Sequence, residues 1–198
     1  MEISTIVLLV VVGALFLWAV AIYNQLVAQK NRYQNAFAQI EVQLKRRYDL
    51  IPNLVETAKG YLDHERETLE AVTKARDAAA AVLADAAMDP GNATAIRNLA
   101  NQQGVLQGAL SRFNIAVEAY PDLKANKNMM QLSEELTSTE NKIAFSRQAF
   151  NDQVMSYNTY RQSFPNIVLA GAMGHGNDAE LLEFADSDAI QEAPSVSF

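Results

Sequence analysis

The chain of 198 residues contains no cysteine, only two histidines and only five prolines. Without cysteine it can form no disulfide, no thiolate-dependent active site and no sulfur-ligated zinc site. The two histidines, His64 and His175, lie far apart, and the Glu-x-x-His motif of di-iron helix bundles does not occur. Because prolines are few, long stretches are free to form helix.

Basic side chains are missing from both ends of the chain. All sixteen Lys and Arg lie between residues 24 and 176, together with sixteen of the acids, so this body is formally neutral. From residue 177 onward there are six acids and no base. A neutral body with an acidic tail lacks the basic patch that nucleic acid requires, so we expect no nucleic-acid partner.

One long apolar run opens the chain. From Ile3 to Tyr23 there is no Asp, Glu, Lys, Arg or His, and thirteen residues are Ile, Val, Leu or Phe. As a helix this run is roughly 31 Å long, which matches a hydrocarbon core of about 30 Å. The sequence therefore predicts a transmembrane anchor over residues 1–25. A cleaved signal peptide is the alternative, although the run has no basic residues before it and exceeds the usual apolar length.

The basic residues nearest the anchor all follow it, at Lys30, Arg32, Lys45, Arg46 and Arg47. By the positive-inside rule they predict that the N-terminus lies outside and the rest of the chain in the cytoplasm. They are also candidates to contact anionic headgroups, or to pair with acids of a neighbouring helix.

Residues 26–165 carry helical apolar patterning nearly throughout, which predicts an all-α antiparallel bundle of three to four long helices. The first apolar stripe is Leu26, Tyr33, Phe37, Ile40, Leu44 and Ile51. Pro52 follows it and predicts a kink or short break between residues 50 and 53.

Three further stripes follow Pro52. The second is Leu54, Ala58, Tyr61, Leu69, Val72, Ala79 and Leu83, and the turn signal Asp89-Pro90-Gly91 ends it. The third, of coiled-coil type, is Ile96, Leu99, Gln103, Leu106, Leu110, Phe113 and Val117. The fourth is Leu132, Leu136, Ile143, Phe150, Val154, Tyr157 and Phe164, closed by Pro165.

Candidate ligand-binding residues are few. Asp63, His64 and Glu67 could supply metal ligands, but neighbouring residues point to different sides of a helix, so a solvated charged face is the competing interpretation. We expect no metal, no cofactor and no enzymatic activity. Residues 166–198 form an acidic tail with scattered apolar residues, which predicts docking on the bundle or on a neighbouring subunit through Val196 and Phe198.

Several segments resemble a known family. They are residues 23–76, with the core QLKRRYDLIPNLVETAKG at 43–60, residues 140–171, and the closing EAPSVSF. These segments are similar to the LemA family of bacterial membrane proteins, in which a Tyr is usual where this chain has Phe150. The resemblance implies an N-terminal anchor in the bacterial inner membrane, a short outside tail and a cytoplasmic helical bundle. It implies no particular reaction, substrate or cofactor.

Two functions suit these features. The first is a structural or interaction scaffold that self-associates through its helices and meets other membrane or cytoplasmic proteins. The alternative is a sensory or ligand-binding bundle hinged at Pro52.

Overall fold

A computed structural model of the chain describes residues 2–62 and 64–184. These residues form six helices and no strand, so the predicted all-α bundle is confirmed. The helices are α1 (Ile3–Lys59), α2 (Arg66–Met88), α3 (Ala93–Ala119), α4 (Pro121–Lys124), α5 (Lys127–Gln162) and α6 (Asn166–Ala170).

The first helix runs without interruption for 57 residues and includes Pro52. The predicted short break is therefore wrong, and the second long helix begins at Arg66 instead of after Pro52. Proline lacks the N–H that would bond to the carbonyl four residues earlier, at Tyr48. That carbonyl accepts a bond from Arg76 Nε of α2 at 3.0 Å, which replaces the missing one. Burial of Ile51 and Leu54 on either side holds the helix in place.

The N-terminal part of α1 lies outside the bundle. Its apolar side chains are exposed, and only 6% of its most apolar window is buried. By length and composition this part could cross a membrane, and its exposure shows that it is not a core helix of the bundle. From Ile22 onward the same helix carries a buried stripe that includes Leu26, Tyr33 and Phe37.

Packing joins the long helices in the order α5, α1, α2, α3. The most extensive contacts are those of α1 with α5 and of α2 with α3, and α1 also packs on α2. In the described part of the chain, α3 and α5 do not pack extensively on each other. The groove that remains between them is occupied by residues 178–184, through contacts described below.

Helix ends follow the expected capping chemistry. The Asn92 side chain accepts from the Ala95 amide at the start of α3, and Asn126 does the same for α5.

Two predicted core residues are exposed because they lie beyond helix ends. Tyr61 follows the Gly60 end of α1, and Phe164 follows the Ser163 end of α5.

Candidate functional site

A buried arginine lies at the centre of the bundle. Arg47 of α1 is only 2% exposed, and its Nη1 donates to both carboxylate oxygens of Glu140 on α5, each at 2.9 Å. Its Nη2 donates to the side-chain oxygen of Gln103 on α3. A buried charge requires such partners because water cannot solvate it.

The hydrogen bonds continue from Gln103 to the remaining long helix. Gln103 Nε2 donates to the Tyr48 hydroxyl, which donates to the carbonyl of Ala79 on α2 at 3.3 Å. Burial raises the pKa of Tyr48, so its hydroxyl remains a neutral donor. This network, formed by Arg47, Glu140, Gln103, Tyr48 and the Ala79 carbonyl, connects all four long helices.

A pocket of about 430 Å³ opens beside this network, between α3 and α5. The residues that line it include Arg47, Gln103, Glu140 and Phe184. Arg47 Nε is buried and has no hydrogen-bond partner among the described residues.

Residues 178–184 occupy the groove between α3 and α5, held by two asparagines of α5. The Asn158 side chain accepts from the Ala179 amide and donates to the Ala179 carbonyl, both at 2.9 Å. Asn151 bonds Leu182 in the same way, at 2.9 and 3.2 Å. Seven helical residues rise about 10.5 Å, close to the length of three extended residues, so the two asparagines match an extended chain.

Side chains on both walls add to this clamp. Arg97 of α3 donates to both carboxylate oxygens of Glu180, at 2.7 and 3.1 Å, and Arg161 of α5 pairs with Asp178. The guanidinium carbon of Arg147 lies 4.5 Å from the ring centroid of Phe184. Between these contacts, Ala179 and Leu182 are buried against the core.

A buried histidine lies three residues before the docked segment 178–184. His175 is 7% exposed, its Nδ1 lies 3.0 Å from the Tyr157 hydroxyl, and the edge of Tyr23 packs near its ring. Burial, together with the charge of Lys30, lowers the pKa of His175. Burial also raises the pKa of Tyr157, so a neutral imidazole and a neutral hydroxyl share this hydrogen bond.

Acid is expected to weaken this contact. The pKa of His175 is lower in the fold than the unfolded value of about 6.5, so the neutral form contributes its full stability above that value. The contribution is lost as the pH falls from about 6.5 through the lowered folded pKa, because burial disfavours a protonated ring and Lys30 repels it. We expect the melting temperature to fall more between about pH 7.5 and 5.5 in the parent protein than in His175→Asn, which cannot titrate. Equal falls would contradict this role of His175.

The five basic candidates lie in different environments. Lys45 pairs with Glu41 on the same helix, at 2.5 Å, and Arg46 approaches Glu135 of α5, at 3.8 Å. Arg47 is buried in the network, so it is not available to a headgroup. Residue 45 also lies roughly 33 Å along the helix from residue 23. Lys30 is partly exposed and Arg32 is exposed, and these two lie nearest the apolar segment.

The remaining predicted site residues are less informative. In residues 2–62 and 64–184, no three His, Cys, Asp or Glu side chains are placed to hold a metal. His64 and Glu67 are exposed, and Asp63 lies outside the described residues, as do Val196 and Phe198. The α3 stripe faces the core: Ile96, Leu99, Gln103, Leu106, Leu110 and Phe113 are buried, and Val117 is half-buried.

The sequence alone did not identify the asparagine clamp. Its one visible signal is the spacing of seven between Asn151 and Asn158, which places both on one face of α5. Nothing in the sequence pairs that face with the backbone of residues 179 and 182.

Residues 36–198 match the sequence profile of the LemA family. The chain belongs to the LemA family. A curated LemA relative, Protein LemA of Metamycoplasma hominis, is 29% identical over 153 residues, which cover 77% of this chain. The match spans 65% of that LemA protein's own length.

Proposed function

We propose that this LemA-family protein is a membrane-anchored scaffold without catalytic activity. It self-assembles and presents its helical bundle to other membrane or cytoplasmic proteins. The observation that carries the proposal is the continuity of α1, which contributes both the exposed apolar segment and the central buried stripe of the bundle.

Continuity of the helix has a mechanical consequence. A flexible linker would let the bundle tumble beneath the membrane, whereas an unbroken helix fixes its orientation relative to the anchor. The part of α1 beyond Tyr23 extends roughly 54 Å. Such a rod holds binding surfaces at a set height and angle, as a scaffold requires.

The proposed orientation places the bundle in the cytoplasm, on the inner face of a bacterial inner membrane. Support comes from Lys30 and Arg32, which follow the apolar segment, while no Lys or Arg precedes it. Lys30 is partly exposed and Arg32 is exposed, so both can contact anionic headgroups. A reporter enzyme fused after Phe198 tests this side directly, since activity only in the periplasm would reverse it.

Ligand sensing is the second candidate function. The 430 Å³ pocket, lined by the polar side chains of Arg47, Gln103 and Glu140, is the specific observation in its favour. A small molecule with a hydrogen-bond acceptor would be the expected ligand. Sensing predicts that a metabolite raises the melting temperature of the purified protein, by binding the folded state.

The scaffold proposal is tested by extraction and native mass measurement. We expect the full chain to stay with membranes after salt and alkaline washing, and to emerge in detergent as a uniform assembly of several copies. A variant that lacks residues 2–21 is the control and should be released into the aqueous fraction, because those residues supply the apolar surface. A monomer in detergent would contradict self-assembly, and a full chain in the wash would contradict anchoring.

A further inference from the structure

We propose that the groove between α3 and α5 is a binding site for an extended acidic peptide, and that a neighbouring copy's tail fills it in the membrane. This inference rests on the proposed self-assembly and names the contact that produces it. It starts from an observation within one copy, where residues 178–184 occupy the groove.

The chemistry of the clamp is that of a peptide-binding site. Asn151 and Asn158 each satisfy both the N–H and the C=O of one residue of the bound segment. Such amide pairs hold an extended backbone whatever its side chains, as an added strand is held at a sheet edge. The clamp therefore accepts any chain that reaches it in the same register.

Three arginines supply the selectivity. Arg161, Arg97 and Arg147 follow one another along the groove and meet Asp178, Glu180 and the ring of Phe184 in that order. A fitting peptide therefore carries two acids separated by one residue and an aromatic residue four positions after the second. The tail of every copy carries this pattern as DAELLEF, residues 178–184.

A second copy of the chain is the occupant that we propose. Its residues 178–184 are the same as those that fill the groove within one chain, so they can make the same contacts when the connecting residues take another path. That connection includes Gly171, Gly174 and Gly176, and Gly174 already has a positive φ of 80°. Anchoring in one membrane raises the effective concentration of neighbouring tails and offsets the entropy of association.

The absence of cysteine makes the exchange directly measurable. One copy carries Arg97→Cys and a second, differently tagged copy carries Glu180→Cys. Both are full-length, and they are expressed together and treated in membranes with a short bismaleimide. The two positions adjoin only when a tail lies in the groove, and the four asparagine hydrogen bonds remain to hold the tail there when this ion pair is replaced. We expect a cross-linked species that contains both tags.

Two controls give this result its meaning. Replacing Arg97→Cys with Glu70→Cys, on the exposed face of α2, measures random collision and should give severalfold less mixed product. Adding Asn151→Ala and Asn158→Ala to the copy with Arg97→Cys should remove most of the mixed product. A single chain with both cysteines should cross-link internally, which shows that the two positions adjoin when a tail is docked.

The outcomes separate this inference from the proposed function. A mixed product at the level of the Glu70→Cys control would overturn tail exchange, as would one that survives loss of the two asparagines. If native mass still shows a uniform assembly in that case, self-assembly stands and uses another surface. A monomer without mixed product would overturn both proposals.

Discussion

Replacing Arg47 by alanine is expected to lower the free energy of unfolding by about 3 to 5 kcal/mol, the usual cost of removing one partner from a buried ion pair. The Glu140 carboxylate would lose both hydrogen bonds from Arg47 Nη1, and the Gln103 oxygen would lose the one from Arg47 Nη2. Unfolding by urea in detergent, followed by the helical circular-dichroism signal, measures the change.

The neighbouring residue provides a matched control. Arg46→Ala removes the same charge one position earlier, but its pair with Glu135 is 3.8 Å long and about half exposed on both sides. Exposed pairs of this kind contribute roughly 0 to 1 kcal/mol. Equal losses in the two variants would show that the network of Arg47 does not hold the helices together.

Pairing Arg47→Met with Glu140→Gln extends the test. The double variant leaves no buried guanidinium or carboxylate, so it should recover part of the stability that Arg47→Ala loses. Failure to recover would mean that the size and shape of the arginine side chain matter more than its charge.

Sequence patterning predicted the helical core well because apolar spacing reports directly on burial. Leu26, Phe37, Ile40 and Leu44 recur at helical intervals and are all buried. The caps at Asn92 and Asn126 were also accessible to sequence reasoning, since asparagine before a helical run has one dominant use. Both the buried stripe and the helix caps depend on residues close together in sequence, so one segment is enough to predict them.

Pro52 and Arg47 show where such reasoning ends. The local sequence around Pro52 predicts a break in the helix. Arg76, on another helix, nevertheless supplies the donor that the Tyr48 carbonyl lacks. Arg47, within a run of three basic residues, looked like a determinant of topology or a headgroup ligand. Its burial depends on Glu140, ninety-three residues later. In both cases a distant side chain decides the outcome, so no local pattern could identify it.

These two long-range contacts serve the same helix. Arg76 holds α1 continuous at Pro52, and the Arg47 network connects α1 to the other three long helices. The apolar N-terminal part of that helix is therefore coupled to the whole bundle. A hinge at Pro52 would need the Tyr48 carbonyl to lose its donor, which favours the rigid scaffold over a hinged sensor.

Removing both clamp asparagines is expected to free the tail while the bundle stays folded. Asn151→Ala with Asn158→Ala removes four hydrogen bonds, each worth about 1 kcal/mol net, so tail docking weakens by up to about 4 kcal/mol. Alanine also favours helix more than asparagine does, so α5 itself should not suffer.

Hydrogen exchange measures this release at the two amides that the clamp protects. The amides of Ala179 and Leu182 donate to Asn158 and Asn151, and in the double variant they should exchange roughly a hundredfold faster or more. Asn114→Ala, on the exposed face of α3, is the control and should leave both amides protected. Unchanged protection in the double variant would mean that burial of Leu182 and the arginine contacts hold the tail without the asparagines. That outcome would contradict the proposed peptide-binding site, which depends on these four hydrogen bonds.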